Sequence, residues 1–192
     1  MNWRLLISLV GAGLLVGACG KKAPPAAAPP AATPPAAAPL VAPANAGARP
    51  LPTRAQPKLR TLKLWLGTEE ITAELAVMPD EIYTGMMFRT NLAANAGMLF
   101  FLGQPTQPSF WMKNCPLALS AAFIDPAGII LELHDFQPQD TNPVVATALN
   151  VQYVLETSRG WFEQHHIGNG TLVRTEHGTF PETFIIRRAP VR

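Results

Sequence analysis

The stretch Ala121-Ala122-Phe123-Ile124-Asp125-Pro126-Ala127-Gly128-Ile129-Ile130-Leu131-Glu132-Leu133 is two short apolar runs on either side of a turn. Asp at the first position, Pro at the second and Gly at the fourth are the preferences of a type I turn, so the segment predicts a β-hairpin. Outward from it the same signals repeat. Thr61 to Leu66 and Ile71 to Val77 alternate in polarity around Gly67, which predicts an opening hairpin. Pro79-Asp80-Glu81 carries helix-start chemistry for a short segment ending by Met87. Gly97 to Leu102 is a continuous apolar run of strand length, and Phe110-Trp111-Met112 follows a Pro-punctuated loop. Val151 to Glu156 and Thr171 to Arg174 read as further strands, with a short helix between Ser158 and His165. The expected fold is mainly β (α+β): a compact antiparallel sandwich or barrel-like domain with one or two short helices.

The first third of the chain has a different character. Arg4 precedes an apolar stretch of 12 residues, Leu5 to Val16, broken only by Ser8, and small residues lead up to Cys19. That run suits a signal-peptide core and falls short of the about 20 residues a bilayer span needs. The arrangement resembles the lipobox of bacterial lipoproteins. The resemblance implies removal of residues 1–18 and a lipid-modified Cys19. Gly20, where Asp would favour inner-membrane retention, points to the outer membrane, facing the periplasm. Between Ala23 and Pro57 lie 11 of the 20 prolines, in a rough five-residue repeat. Proline blocks both helix and ladder, so residues 19–58 are expected to form a disordered, semi-extended tether. Residues 59–178 then form one domain, followed by an edge strand or loose tail over 179–192.

The formal charge of +2 conceals an asymmetry. From Leu64 to Ile186 four basic residues face all 13 acids, a net −9. An acidic body argues against nucleic acid as a partner. Lys21 and Lys22 stand beside the anchor, where anionic headgroups would attract them. With Cys19 acylated, Cys115 has no intrachain partner, and it reads as a buried small hydrophobe.

Gly85-Met86-Met87-Phe88-Arg89, Gly97-Met98-Leu99-Phe100-Phe101, Phe110-Trp111-Met112-Lys113-Asn114 and Phe123-Ile124-Asp125 with Gly128 together resemble the domain of unknown function 192 family. Tyr153-Val154-Leu155-Glu156 with Gly160, and Ile167-Gly168, extend the resemblance, which runs from about Lys63 to Val173. It implies a small, mostly β, sandwich-like domain, often exported, with no agreed activity. Five departures stand out, four of them at polar positions of the family. Ile82 replaces an Arg, Cys115 a Thr, Ala118 and Ser120 a Pro and an Asp, and Asn169 the Asp after Gly168. The acid missing at Ser120 is one that a proton-transfer scheme built on the motif would need.

Arg89, Trp111, Lys113, Asn114 and Glu156 are polar or aromatic groups set among apolar runs, and they are the ligand-binding candidates. Against this stands a structural role in which Lys113 and Arg89 pair with Glu156 to close the sheets. Five of the six methionines fall between Met78 and Met112, which raises Cu(I) held by thioethers. Their spacings of 8, 1, 11 and 14 fit no single face, so core packing is the reading taken. The four histidines are scattered, and neither a metal site nor a cofactor is expected. No nucleophile elbow, phosphate loop or paired-carboxylate signature is present. The expected function is a membrane-anchored envelope lipoprotein. Cys19 meets the bilayer, and a non-catalytic β domain binds an envelope glycan, peptide or protein. The alternative is an enzyme acting on peptidoglycan or another glycan with Lys113 and Glu156.

Overall fold

The computed structural model describes residues 50–184. The leader, Cys19, the Pro/Ala tract to residue 49 and the chain from 185 onward lie outside them. The elements run β1 (Thr61–Leu66), β2 (Glu69–Ala76), α1 (Pro79–Thr84), β3 (Ala96–Thr106), β4 (Ser109–Phe110), β5 (Leu119–Ile124) and β6 (Ile130–Phe136). They continue with β7 (Val144–Val145), β8 (Val151–Ser158), α2 (Trp161–Gln164), β9 (Val173–Thr175) and α3 (Phe180–Thr183). Seven strands form one sheet in the order β6-β5-β8-β3-β2-β1-β9, and β4 pairs with β7 alone.

The domain is mainly β, as expected, and its turn chemistry works as the sequence implies. The Asp125 carboxylate accepts from the backbone N–H groups of Ala127 at 2.9 Å and Ile129 at 2.8 Å, fixing the β5–β6 hairpin. Gly128 has φ +91°, and a Cβ there would lie 2.8 Å from the Val173 carbonyl, so the turn has room for glycine alone. That close approach has a topological meaning. Ile129 bridges Leu172, Ile130 N donates to Thr171 O at 3.0 Å, and Val173 N donates to Gly128 O at 2.8 Å. The starts of the two edge strands, β6 and β9, therefore meet. The sheet curls into a half-barrel rather than two stacked layers, which shields edges that would otherwise pair with other chains.

One neighbouring pair is parallel: β2 with β3. Parallel neighbours need a crossover of about a dozen residues or more. Here residues 77–95 supply it, carrying α1 and the turns after it across the sheet. The remaining pairs are antiparallel.

Alternation splits the core in two. Leu64, Ile71, Leu99, Ile124, Tyr153 and Phe180 belong to the cluster inside the curl. Met98, Phe100, Ala121, Phe123, Val154 and Met112 belong to the cluster on the outer face, roofed by the crossover and by the chain around β4. β3, β5 and β8 are apolar on both faces for that reason. Each large side chain fully buried in them contributes roughly 1.5–3 kcal/mol.

Beyond β9, where the sequence predicts an edge strand or loose tail, the structure holds a helix, α3. Thr179 caps α3 in a reciprocal box with Glu182, Pro181 stands in the first turn, and Phe180 is fully buried against Tyr153 at 4.5 Å between ring centroids. The rest of that stretch, residues 185–192, lies outside the described residues.

Candidate functional site

Two turns build the outer-face site. The first follows α1, where Gly85 N donates to Glu81 O at 2.8 Å and the chain passes through Met86 and Met87. The second follows β4 and runs from Trp111 to Cys115, closed by Cys115 N donating to Met112 O at 3.0 Å. They are latched together, because Phe88 N donates to Asn114 O at 2.7 Å. Both residues of the latch are non-glycines with left-handed backbones, Phe88 at φ 61° and Asn114 at φ 59°. A bulky residue such as Phe rarely takes this conformation, and such outliers concentrate where a fold holds a functional geometry.

Between the turns and the sheet lies a cavity of about 340 Å³. Ile82, Tyr83 and Thr84 of α1 form one wall, and Phe100 and Leu102 of β3 form another. Trp111 and Lys113 stand on the opposite side with Met112 and Cys115. Trp111 remains 40% exposed, and the Lys113 ammonium lies 5.3 Å from the centre of its ring. Such a cation–π contact is worth about 0.5–1 kcal/mol at an exposed position.

Glu156 also lines this cavity. It sits on β8 between Met98 of β3 and Ala121 of β5, in register with both, and only 4% of its surface is accessible. Among the described residues no hydrogen-bond donor or cation meets its carboxyl. Burial pushes it up to about 8, so it is a neutral acid at physiological pH. Its carboxyl faces the cavity, from which water or a ligand group can reach it. Burial likewise pushes the Cys115 thiol up to about 11, although its Sγ donates weakly to Leu117 O at 3.9 Å.

The five sequence candidates divide. Trp111, Lys113 and Glu156 line the cavity together. Arg89 and Asn114 do not line it; they hold the turns. Arg89 forms a bidentate pair with Glu74 of β2, at 2.7 and 2.8 Å, and Glu74 also accepts from Leu59 N at 2.7 Å. The expected structural pairing of Lys113 and Arg89 with Glu156 is therefore not formed. Arg89 is consumed by Glu74, and the Lys113 ammonium rests on an indole. Arg89 Nε is buried without a partner, so the geometry of this pair is set by the fork alone.

The core role expected of the methionines and Cys115 is only part of their position. Met86, Met87, Met112 and Cys115 all face the cavity, and all are at most 5% exposed. They are core residues, as their composition suggested, and they are also cavity lining. The histidines do not gather: His134 pairs with Glu132 at 2.8 Å and His165 with Glu69 at 2.7 Å. Among the described residues no group of three or more His, Cys, Asp or Glu could hold a metal.

Ser120 is placed by alternation on the face opposite its neighbours Leu119 and Ala121, which belong to the outer cluster. Its hydroxyl donates to Asp135 at 2.5 Å and accepts from Gly160 N at 2.9 Å, tying β5 to the start of α2. An acid at position 120 would thus point away from the Glu156 cavity.

Among solved structures, the chain is similar to a protein from Sinorhizobium meliloti 1021 described as a candidate transcription regulator. The two are 28% identical with a TM-score of 0.60, over 63% of this chain and 98% of that one. It is also similar to a protein of unknown function from Novosphingobium aromaticivorans DSM 12444, 25% identical with a TM-score of 0.55, over 67% of this chain and 94% of that one. No curated protein matches the sequence. The family model for DUF192, described as an uncharacterized ACR, matches residues 63–175, and with more than half its length covered this chain belongs to the DUF192 family.

Proposed function

We propose that this chain is a lipid-anchored envelope protein whose β domain binds a ligand, without covalent chemistry, in the cavity beneath Trp111. The observation that carries the reading is Glu156. A carboxyl that lines a largely apolar cavity with no protein hydrogen bond or ion pair offers a polar point that a ligand can meet with a charged or hydrogen-bonding group. The rest of the ligand meets thioethers and aromatic rings. The site is thus suited to an apolar or soft ligand body with one polar point. The two latched turns with left-handed residues hold the walls in place before the ligand arrives, which lowers the entropy lost on binding.

The leader, Cys19 and the Pro/Ala tract support an anchored placement. Acyl chains on Cys19 would hold the chain to a bilayer, because two or more chains anchor stably where one binds marginally. The tract would let the acidic body stand away from the headgroups, on the periplasmic side of an outer membrane. The charge of that body gives no support to nucleic acid as a partner. The description of the Sinorhizobium neighbour remains a statement about that protein.

Two measurements test the reading. Mass spectrometry of the membrane-extracted chain is expected to find an acylated Cys19 at its amino terminus; an unmodified, soluble product would remove the anchor. A melting-temperature screen of n-alkylammonium ions, n-alkylamides and monovalent soft metals is expected to find at least one that stabilises wild type more than Glu156→Gln. No stabilisation by any probe, or equal stabilisation of both proteins, would contradict the site.

A further inference from the structure

We propose that the cavity beneath Trp111 takes an extended, proline-flanked apolar peptide, and that its occupant is the chain's own Pro39-Leu40-Val41-Ala42-Pro43. The inference rests on the reading of the cavity as a binding site and names its ligand. Three observations carry it. The first is where the chain enters the domain. Gln56 Nε2 donates to Glu81 O at 3.1 Å and to Gly85 O at 2.9 Å, which fastens the entering segment to the α1 side of the cavity. Gly85 itself lines that cavity. Leu59 then packs into the outer-face cluster, and its N–H donates to Glu74 at 2.7 Å. Leu40 precedes Gln56 by 16 residues. An extended Pro-rich chain covers about 3.1 Å per residue, so that length spans up to about 50 Å. A cavity whose wall Gln56 already touches lies well inside this reach.

The second observation is composition. From Ala23 to Ala38 the tract holds only Ala, Pro and one Thr. Leu40 and Val41 are the only large aliphatic side chains between Cys19 and Pro50, and they stand where the five-residue repeat ends. Ala44 to Arg49 is the longest run of the tract without proline and includes Gly47, so its residue types allow the chain to turn back. A plain spacer needs neither feature. The third observation is the lining. Tyr83, Phe110 and Trp111 face the cavity together with Pro108. Aromatic-lined grooves are the surfaces on which proline-rich segments dock, because a polyproline-II helix is preformed and loses little entropy on binding. With three residues per turn, Leu40 and Pro43 share one edge of such a helix. The unbranched thioethers of Met86, Met87 and Met112 can shape themselves to the leucine and valine. This helix makes no internal hydrogen bonds, so its carbonyls are free. One of them accepts from the neutral Glu156 carboxyl, the polar point that the described residues leave open. Docking leaves residues 20–38 as the spacer, and any external ligand must compete with the chain's own segment.

The test is methionine-methyl NMR on the full chain, comparing wild type with Leu40→Ser/Val41→Ser. Both substitutions fall outside the described domain and leave its core sequence intact. The methyl signals of Met86, Met87 and Met112 are expected to shift in the variant. Met78, 60% exposed and away from the cavity lining, is expected to stay in place. A synthetic peptide spanning residues 36–48, added to the variant, is expected to return the shifted signals to their wild-type positions. An n-alkylammonium ion or n-alkylamide is expected to stabilise the variant more than wild type, since no segment has to be displaced. Coincident spectra of wild type and variant, or a peptide that restores nothing, would overturn the proposal. So would wild-type signals that change with protein concentration, which would put a second copy's segment in the cavity. If the spectra coincide while a small probe still stabilises wild type over Glu156→Gln, the occupant is wrong and the binding cavity stands. If the spectra coincide and every probe fails, both fall.

Discussion

Gly97→Ala is expected to lower the melting temperature by about 4–12 °C and to disorder the cavity. A Cβ at residue 97 would lie 2.6 Å from the backbone carbonyl oxygen of Glu156, closer than real Cβ atoms come to any neighbour. The obstacle is backbone in the adjacent strand, not the end of a flexible side chain. Residue 97 pairs with Thr157 of β8 on one side and Ala73 of β2 on the other, so neither strand can step aside without breaking a central ladder. Forced overpacking of this kind costs about 1–3 kcal/mol and occasionally more. Each kcal/mol corresponds to roughly 4 °C in a domain of this size. Because the displaced carbonyl is that of Glu156, a folded fraction of the variant should also lose discrimination between ligands that do and do not address that carboxyl. Calorimetry checks the first effect and the thermal-shift screen the second. A variant melting within 2 °C of wild type would show that β3 and β8 are not packed as described.

Stability should fall as pH rises from about 5 to 8 in wild type and stay nearly level in Glu156→Gln. Burial lifts Glu156 from 4.5 to about 8. Between those values the native chain keeps a proton that the unfolded chain has released. The unfolded state therefore binds fewer protons, and the stabilisation that Glu156 allows at pH 4.5 and below is lost progressively up to its folded value. Each pH unit in that window costs up to about 1.4 kcal/mol, which makes the total a few kcal/mol. The other buried acids do not blur the result. Cys115 and Tyr153, pushed up to about 11 and about 12, weaken the fold only above their ordinary values of 9.0 and 10.0. Glu81 lies below its ordinary value because it accepts from Met78 N and Val77 N, each at 2.9 Å. Glu132 is also lowered: burial pushes it up, but the Ala148 and Thr147 backbones and His134 outweigh that. These carboxylates contribute stability that disappears on the acid side, as pH falls through their folded values. Chemical denaturation at several pH values between 5 and 8.5, with a chelator present, resolves the difference. Parallel profiles for wild type and Glu156→Gln would contradict the isolation of this carboxyl.

How far the chain could be read before its structure depended on how local each signal was. The β5–β6 hairpin was legible because Asp125, Pro126 and Gly128 carry their own geometry. The double burial of β3 was legible in an unbroken apolar run. The parallel β2–β3 pair was not, because it follows from where a crossover of some twenty residues returns to the sheet. The helix at Phe180–Thr183 had a readable signal in Thr179 and Glu182, three residues apart with Pro181 between them, and pattern reading gave it too little weight.

At the site, residue chemistry was legible and partnership was not. Arg89 is followed by Glu74 in space, 15 residues earlier in the chain, and nothing in their spacing distinguishes Glu74 from Glu156 as its partner. The same limit hid the cavity that Met86 and Cys115 share. Periodicity finds residues that share one face of one element, whereas Met86 and Cys115 meet through a hydrogen bond between two irregular turns.

The claim on which the site depends is that the Glu156 carboxyl is enclosed and unpartnered. Carbon-13 NMR of the side-chain carboxyl, assigned by comparison with Glu156→Gln and recorded across a pH titration, reports on it directly. The account predicts a protonated group at neutral pH with a midpoint about 8. A midpoint near 4.5, the value of an ordinary glutamate, would mean that water or a partner already satisfies the carboxyl and that the cavity has no vacancy for a ligand to fill.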